Sequence, residues 1–281
     1  MIEAKSIGGT APVLARPWLD GAALRRRGAE LARVMGFGVL GFGVLLVLWQ
    51  LAALISGELP SPADTLPVLL GLLSDPFYTN GPNDQGIGLQ IWYSLGRVFT
   101  GWALGSLVAI PLGVLMGSSR RLMQTLNPVV QVLRPVSPLA WYPIGLAVYK
   151  SASSAVVFAI VITSLWPTLI NTMVGVASMP DDYRNVARVF RFSPLKYLTK
   201  VLIPFALPHI LTGLRLSMGT AWMVIVAGEM LAGGTGIGFF VWDSWNALSL
   251  PRVISAILAI GLVGLLLDRG LDWLSRKAQW A

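Results

Sequence analysis

The chain has no cysteine, and His209 is its only histidine. Disulfides, thiolate catalysis, iron–sulfur clusters and His/Cys zinc sites are therefore excluded within it. His209 sits beside Pro208 in an apolar stretch and is assigned no role. Charge is also scarce. Only 12% of the 281 residues are charged, where soluble domains carry about 25%. A phosphate-binding loop ends in Gly-Lys-Ser/Thr, but the five lysines follow Ala4, Tyr149, Leu195, Thr199 and Arg276. No glycine precedes any of them, so the chain carries no ATP site of that kind.

What is abundant points to lipid as the main solvent. Apolar residues make up 55% of the chain, with 30 Gly and 11 Trp, and the mean hydropathy is +0.69. Soluble-enzyme and nucleic-acid-binding readings fail on this hydropathy. A helix needs about 20 apolar residues to cross the hydrocarbon core. Six stretches qualify, at roughly 35–56, 93–117, 123–148, 154–178, 204–230 and 252–272. The sequence thus predicts an all-α membrane protein of about six transmembrane helices, with the membrane domain over 35–281. Residues 1–34 form a polar, arginine-bearing segment that reads equally as an interfacial amphipathic helix or as a tail held by its arginines.

The net charge of +8 sets the orientation. With the N-terminus cytoplasmic, Lys5, Arg16, Arg25, Arg26, Arg27, Arg33, Arg120, Arg121, Arg184, Arg188, Arg191, Lys196, Lys200, Arg269, Arg276 and Lys277 all fall inside, while Lys150 and Arg252 fall outside. Basic residues collect on cytoplasmic loops, so both termini are expected in the cytoplasm.

Inside the spans, polar residues are the informative ones. Gly101, Gly105, Ala109, Gly113 and Gly117 recur every fourth position, a strip that lets another helix approach closely in lipid. Pro128, Pro135, Pro138 and Pro143 interrupt the third stretch, and the backbone groups they free need protein or a wet cavity beside them. Asn127, Gln131 and Arg134 share one face there and suit a pathway wall or an interfacial helix. Ser164, Thr168 and Asn171 share a face of the fourth span. Their side chains either hydrogen-bond a small polar solute or bond the backbone one turn back. Arg215 falls near mid-membrane, where a cation needs a partner or a water-filled cavity. Glu229 lies about 21 Å further along the same helix and cannot be that partner. Arg97 enters the second span near the level of Glu229. The reading is a structural Arg97–Glu229 contact, with Arg215 left free to attract an anion or locked onto neighbouring carbonyls.

The segment between the fourth and fifth spans has a different character. Pro180 followed by Asp181 and Asp182 makes a helix start, with acids at the positive end of the dipole. Tyr183, Val186, Ala187 and Phe190 form an apolar stripe, and Arg184, Arg188 and Arg191 a basic one. Ser193 then Pro194 restart a helix. Two short helices joined at a corner and feeding into a span suit docking to another protein.

This segment resembles the coupling loop of type I ABC importer permeases, whose pattern is Glu-Ala-Ala, three residues, Gly, nine residues, then Ile-x-Leu-Pro. Here Asn185-Val186-Ala187 stands in the first part, Arg191 at the glycine, and Val201-Leu202-Ile203-Pro204 at the end. The motif's glutamate and glycine are both missing. The resemblance narrows to the nitrate/sulfonate/taurine/bicarbonate group through Leu59-Pro60-Ser61-Pro62, Ser94-Leu95-Gly96-Arg97-Val98, the run Leu133-Arg134-Pro135-Val136-Ser137-Pro138-Leu139-Ala140, and Gly213-Leu214-Arg215. Asp75-Pro76-Phe77 and the Asp181–Ala187 stretch look most like nitrate permeases.

The resemblance implies a MetI-like fold with a coupling loop at 180–204. In that loop Asp182, Tyr183, Arg184, Asn185, Val186, Ala187, Arg188, Arg191, Ser193 and Pro204 would meet an ATPase. It implies a bacterial inner-membrane location and no catalysis by this chain. The implied partners are a second copy, two cytoplasmic ATPase subunits holding ATP and magnesium, and an outer-face solute-binding protein. The chain itself would bind no cofactor. The substrate would be a small anion, nitrate or nitrite first, with bicarbonate, cyanate or an alkanesulfonate as alternatives. Arg215, Arg134, Gln131, Ser164, Thr168 and Asn171 are the candidate translocation path. An ion-coupled carrier is the rival class, but such carriers place acids or histidine near mid-membrane. A non-transporting anchor is a further rival and would have no use for the intramembrane arginines.

Overall fold

A computed structural model describes residues 21–81 and 84–279. Residues 1–20 of the expected N-terminal segment lie outside the described residues. The residues up to Pro62 and those from Ala63 onwards form two compact units, which are taken in turn.

Among the described residues the first unit is one helix and its exit. Helix α1 (Gly21–Ser56) contains a 22-residue apolar stretch from Met35 to Ser56, long enough to span. It stops at Gly57, whose φ of +68° lets its N–H return to the Ala53 carbonyl at 3.1 Å, the left-handed close that glycine favours. Trp49 Nε1 then donates to the Pro60 carbonyl at 3.0 Å, holding the exit against the last turns.

In the second unit, short helix α2 (Pro62–Ser74) leads to α3 (Ile87–Ser118), α4 (Arg120–Leu133), a 3-10 turn at Pro138–Trp141 and α5 (Tyr142–Tyr149). Then come α6 (Ala152–Ala177), α7 (Asp181–Val189), α8 (Pro194–Tyr197) and a π-helical turn at Leu198–Leu202. Helices α9 (Ile203–Ala232), α10 (Ile237–Asn246) and α11 (Leu250–Gln279) complete the chain. Apart from one isolated bridge between Thr79 and Gln85, the described residues are helical or irregular.

Five helices among the described residues are long and apolar enough to cross a membrane: Met35–Ser56, Ile87–Ser118, Ala152–Ala177, Pro194–Ala232 and Leu250–Ala278. The expected span at 123–148 is instead divided into α4, the 3-10 turn and α5. Proline supplies the reason. Residue 134 precedes Pro135 and is biased away from continuing the helix, and Pro138 removes the next donor.

The bundle is built on α3, α6 and α9. The small-residue strip of α3 lies directly against α6. A Cβ added at Gly101 would meet Ile160, one at Gly105 the Val161 carbonyl, one at Gly113 Thr172, and one at Gly117 Val176. Close backbone approach of this kind supplies the van der Waals contact that drives association in lipid. The largest core cluster joins Val98 of α3, Val156 and Ile160 of α6, Met218 and Ile225 of α9, and Ile237 of α10. Helix α11 leans on α9, where Trp222 Nε1 donates to the Ile260 carbonyl at 3.0 Å.

Candidate functional site

Three polar constellations stand out against this apolar frame. The first lies at the Glu229 end of α9. Helix α9 stops at Gly233 (φ +70°), and Gly234 (φ +89°) and Gly236 (φ +120°) also adopt conformations that side chains disfavour. The turn they make brings the loop back over Glu229, which is 1% exposed. Arg97 Nη1 donates to Glu229 Oε1 at 2.6 Å. Ser94 Oγ donates to the same carboxylate, and the Gly238 N–H donates to its Oε2 at 3.0 Å. Arg97 also donates to the Thr235 carbonyl and to Thr235 Oγ1, each at 2.7 Å, and through Nε to Ser153 Oγ on α6 at 3.0 Å. The Ile237 N–H donates to Ser94 Oγ at 2.9 Å, and the Gly236 N–H to Gln90 Oε1. A buried charge persists only when paired and hydrogen-bonded, and here the α3 face supplies both requirements.

The Glu229 network also contains Gln90 and Ser94, to which the sequence reading gave no role in the site. Gln90, Ser94 and Arg97 are spaced i, i+4 and i+7, a polar line on an otherwise apolar helix. That line was the available signal for the whole cluster.

The second constellation surrounds Arg215. Arg215 Nε and Nη2 donate to the two oxygens of Asp268, each at 2.7 Å, and Nη1 donates to Asp272 Oδ1 at 2.6 Å. Arg276 then pairs with Asp272 at 2.8 Å, one turn on. Arg215 is thus neither unpaired nor locked onto carbonyls, the two alternatives the sequence left open: two carboxylates of α11 pair with it. They are spaced i, i+4 on that helix, and their periodicity is again readable. These side chains, with Thr212, Gly219 and Ser275, line an open depression of about 640 Å³.

The candidate path residues on α6 are not grouped with Arg215. Ser164 and Thr168 are wholly buried. Ser164 Oγ donates to the Ile160 carbonyl, and Asn171 Nδ2 to the Pro167 carbonyl at 2.8 Å, both one turn back. Thr168 Oγ1 reaches across to Ser217 Oγ on α9 at 3.0 Å, and Trp102 Nε1 of α3 also donates to Ser217 Oγ at 3.0 Å. Ser164 and Thr168 thus face helix contacts in this structure, and Ser164 and Asn171 make the backbone bonds that the sequence offered as the alternative to binding a solute. Gln131 and Arg134 are exposed at the end of α4. Among the described residues no ion pair or hydrogen bond joins either side chain to the others of the candidate path.

The third constellation is the corner between α6 and α9. Pro180 starts α7, Asp181 and Asp182 occupy its first turn, and Arg188 its last. Ala187 is buried, and the Tyr183 ring packs against Phe205 of α9 at a tilt of 51°, with centroids 5.6 Å apart. Both contacts seat α7 on the bundle. Beyond the exposed acids of the first turn, Asp181 and Asp182, the outward residues are mostly apolar and basic: Tyr183, Val186, Val189 and Phe190 are at least half exposed, alongside Asn185, Arg188 and Arg191. Helix α7 closes with the Phe192 N–H on the Ala187 carbonyl at 2.9 Å and the Arg191 N–H on the Arg188 carbonyl at 3.0 Å. This close puts Arg191 at φ +50°. Ser193 Oγ then accepts from the Lys196 N–H to cap α8, whose line continues through the π-helical turn and Pro204 into α9. Arg184, Arg188, Phe192, Tyr197 and Ser118 surround a depression of about 380 Å³ at this corner.

A family model described as the binding-protein-dependent transport system inner membrane component matches residues 109–280. The nitrate import permease protein NrtB of Synechocystis sp. is 47% identical over 238 residues, covering 84% of this chain and 86% of that protein. The bicarbonate transport system permease protein CmpB of Synechocystis sp. is 46% identical over 256 residues, covering 90% of each. Among solved structures, the inward-facing MetNI methionine ABC transporter superposes with a TM-score of 0.62 at 15% identity, covering 68% of this chain and 95% of that one. That last likeness is one of fold.

Proposed function

The chain belongs to the binding-protein-dependent transport system inner membrane component family, and from that premise we propose that it admits nitrate or nitrite as the permease subunit of an ATP-driven importer. It is a multi-pass inner-membrane protein, and its family works with ATPase and substrate-binding partners. The observation that carries the nitrate reading is the 47% identity to NrtB across most of both chains.

In this reading the complex holds two copies of the chain, two cytoplasmic ATPase subunits that bind ATP and magnesium, and an outer-face binding protein. Both termini and the α7–α8 corner lie in the cytoplasm, following the basic residues. The chain performs no catalysis and binds no cofactor. Closure of the ATPase subunits displaces α7 and α8, and the continuous line through Pro204 delivers that motion to α9. Selection among anions rests mainly with the binding protein, since Arg215 already has two carboxylate partners.

The test is uptake of isotope-labelled nitrate by cells lacking the chain and by the same cells with it restored. Uptake restored by the chain supports the reading, and unchanged nitrate uptake removes it. Bicarbonate is the second reading, favoured by the 46% identity to CmpB over 90% of each chain. Labelled bicarbonate in the same cells separates the two.

A further inference from the structure

The ion pairs of Arg215 stand at the mouth of a cleft between α9 and α11. Asp268, Asp272 and Arg276 lie about 27 to 39 Å along α11 from Leu250. That is where a hydrocarbon layer of about 30 Å gives way to headgroups. Arg215 reaches them from α9 with its long side chain. All four carboxylate oxygens are engaged: Arg215 holds both of Asp268 and one of Asp272, and Arg276 holds the other. Arg276 uses one terminal nitrogen on that contact, and its side chain stays 76% exposed. With Arg269 and Lys277, these turns carry four cations against two acids.

The depression at these groups, about 640 Å³, is within the usual size of a ligand pocket. It adjoins a hollow of about 200 Å³ that shares Gly219 and Met223 with it and whose further walls include Trp222, Gly264 and Leu267. Past Arg215 and Asp268 the walls of that hollow are apolar, and it runs back along both helices into the span. Gly219 keeps it open, since a Cβ added there would meet nothing within 4 Å. A charged mouth at headgroup depth leading into an apolar slot has the layout of one lipid molecule.

We propose that this cleft holds a phospholipid, with its phosphate on Arg276 and one acyl chain laid past Gly219 to Trp222. The surplus of two positive charges complements the phosphate, and Met223, Trp222 and Leu267 meet the methylenes. A free phosphate ion would use the mouth and leave the slot empty. A second copy of the chain is the other rival occupant. It is disfavoured because a two-fold contact through this face would set the surplus cations of each copy against the same cations of the other. The proposal needs only that the chain spans a membrane, whichever anion it carries.

The experiment purifies the full chain in detergent and counts the phospholipid it retains by native mass spectrometry, beside Gly219→Leu and Arg276→Gln. Leucine at 219 fills the slot without displacing protein, and Arg276 is on the surface, so both variants should unfold in lipid-free detergent no earlier than the parent. The parent is expected to keep one phospholipid per chain, and each variant to keep it about tenfold less often. Phosphatidylglycerol added to stripped protein should raise the unfolding temperature of the parent by a few degrees and that of the variants by less. Glycerol phosphate, the headgroup without its chains, should have no effect. Undiminished lipid retention in Gly219→Leu overturns the proposal. Equal stabilisation by glycerol phosphate, untouched by Gly219→Leu, overturns it in favour of a free phosphate. Loss of self-association in Gly219→Leu with the lipid count unchanged overturns it in favour of a second copy. If Gly219→Leu loses the lipid and Arg276→Gln keeps it, the slot stands and the Arg276 contact falls.

Discussion

The carboxylate of Glu229 fills the space that a side chain at position 236 would need. Gly236 combines that close approach with a φ of +120°, so two separate penalties exclude any larger residue. Gly236→Ala is expected to displace the carboxylate or the loop and to cost on the order of 3 kcal/mol. Thermal unfolding in detergent reads this directly. A variant as stable as its parent would show that the loop does not depend on the approach.

Removing one member of the Arg97–Glu229 pair strands the other. Arg97→Gln and Glu229→Gln should each destabilise by about 3–5 kcal/mol. The double variant should lose clearly less than the sum, since residues in contact couple. A double-mutant cycle on unfolding free energies checks it, and additive losses would mean that the pair contributes no coupling.

Arg215 gives the opposite kind of test. Neutralising its partners with Asp268→Asn and Asp272→Asn leaves an unpaired cation in a membrane-length helix, at about 2.5–3.5 kcal/mol on insertion scales. The yield of folded protein in the membrane should fall. Adding Arg215→Met should restore it, because the charge left over is then that of Arg276, which is exposed in the last turn of α11. Anion uptake should survive in that triple variant, and its loss would reinstate Arg215 as a substrate contact.

The basic face of α7 is tested through coupling. Arg184→Glu together with Arg188→Glu reverses two charges on the corner and should leave basal ATP hydrolysis in place while anion uptake falls by tenfold or more. Reconstituted vesicles report both quantities, and full uptake would contradict the docking role.

Much of this arrangement was legible in the chain, through the periodicity of its exceptions. The glycine strip of α3 announced a close helix contact, and the level of Arg97 against Glu229 placed two charges within reach of each other. The α7–α8 corner was readable from Pro180, Ser193 and Pro194, since those residues fix helix starts by local chemistry alone. The sequence leaves alternatives open where the outcome depends on a neighbour. Ser164 and Thr168 sit on one face whether that face meets water or another helix, and nothing on α6 itself says which. The stretch 123–148 has the apolar length of a span, but two prolines outweigh length once the chain can turn. Asp268 and Asp272 were present as an i, i+4 pair, and only the antiparallel packing of α11 on α9 brings them to Arg215.

The hydrogen bonds between α3 and α9 have a consequence for any transport cycle. They fasten the two helices at two heights, at Glu229 and again at Ser217, where Trp102 of α3 and Thr168 of α6 both attach. Helices pinned twice along their length cannot part like scissor blades. The trio is therefore expected to move as one piece in whatever cycle it takes part in.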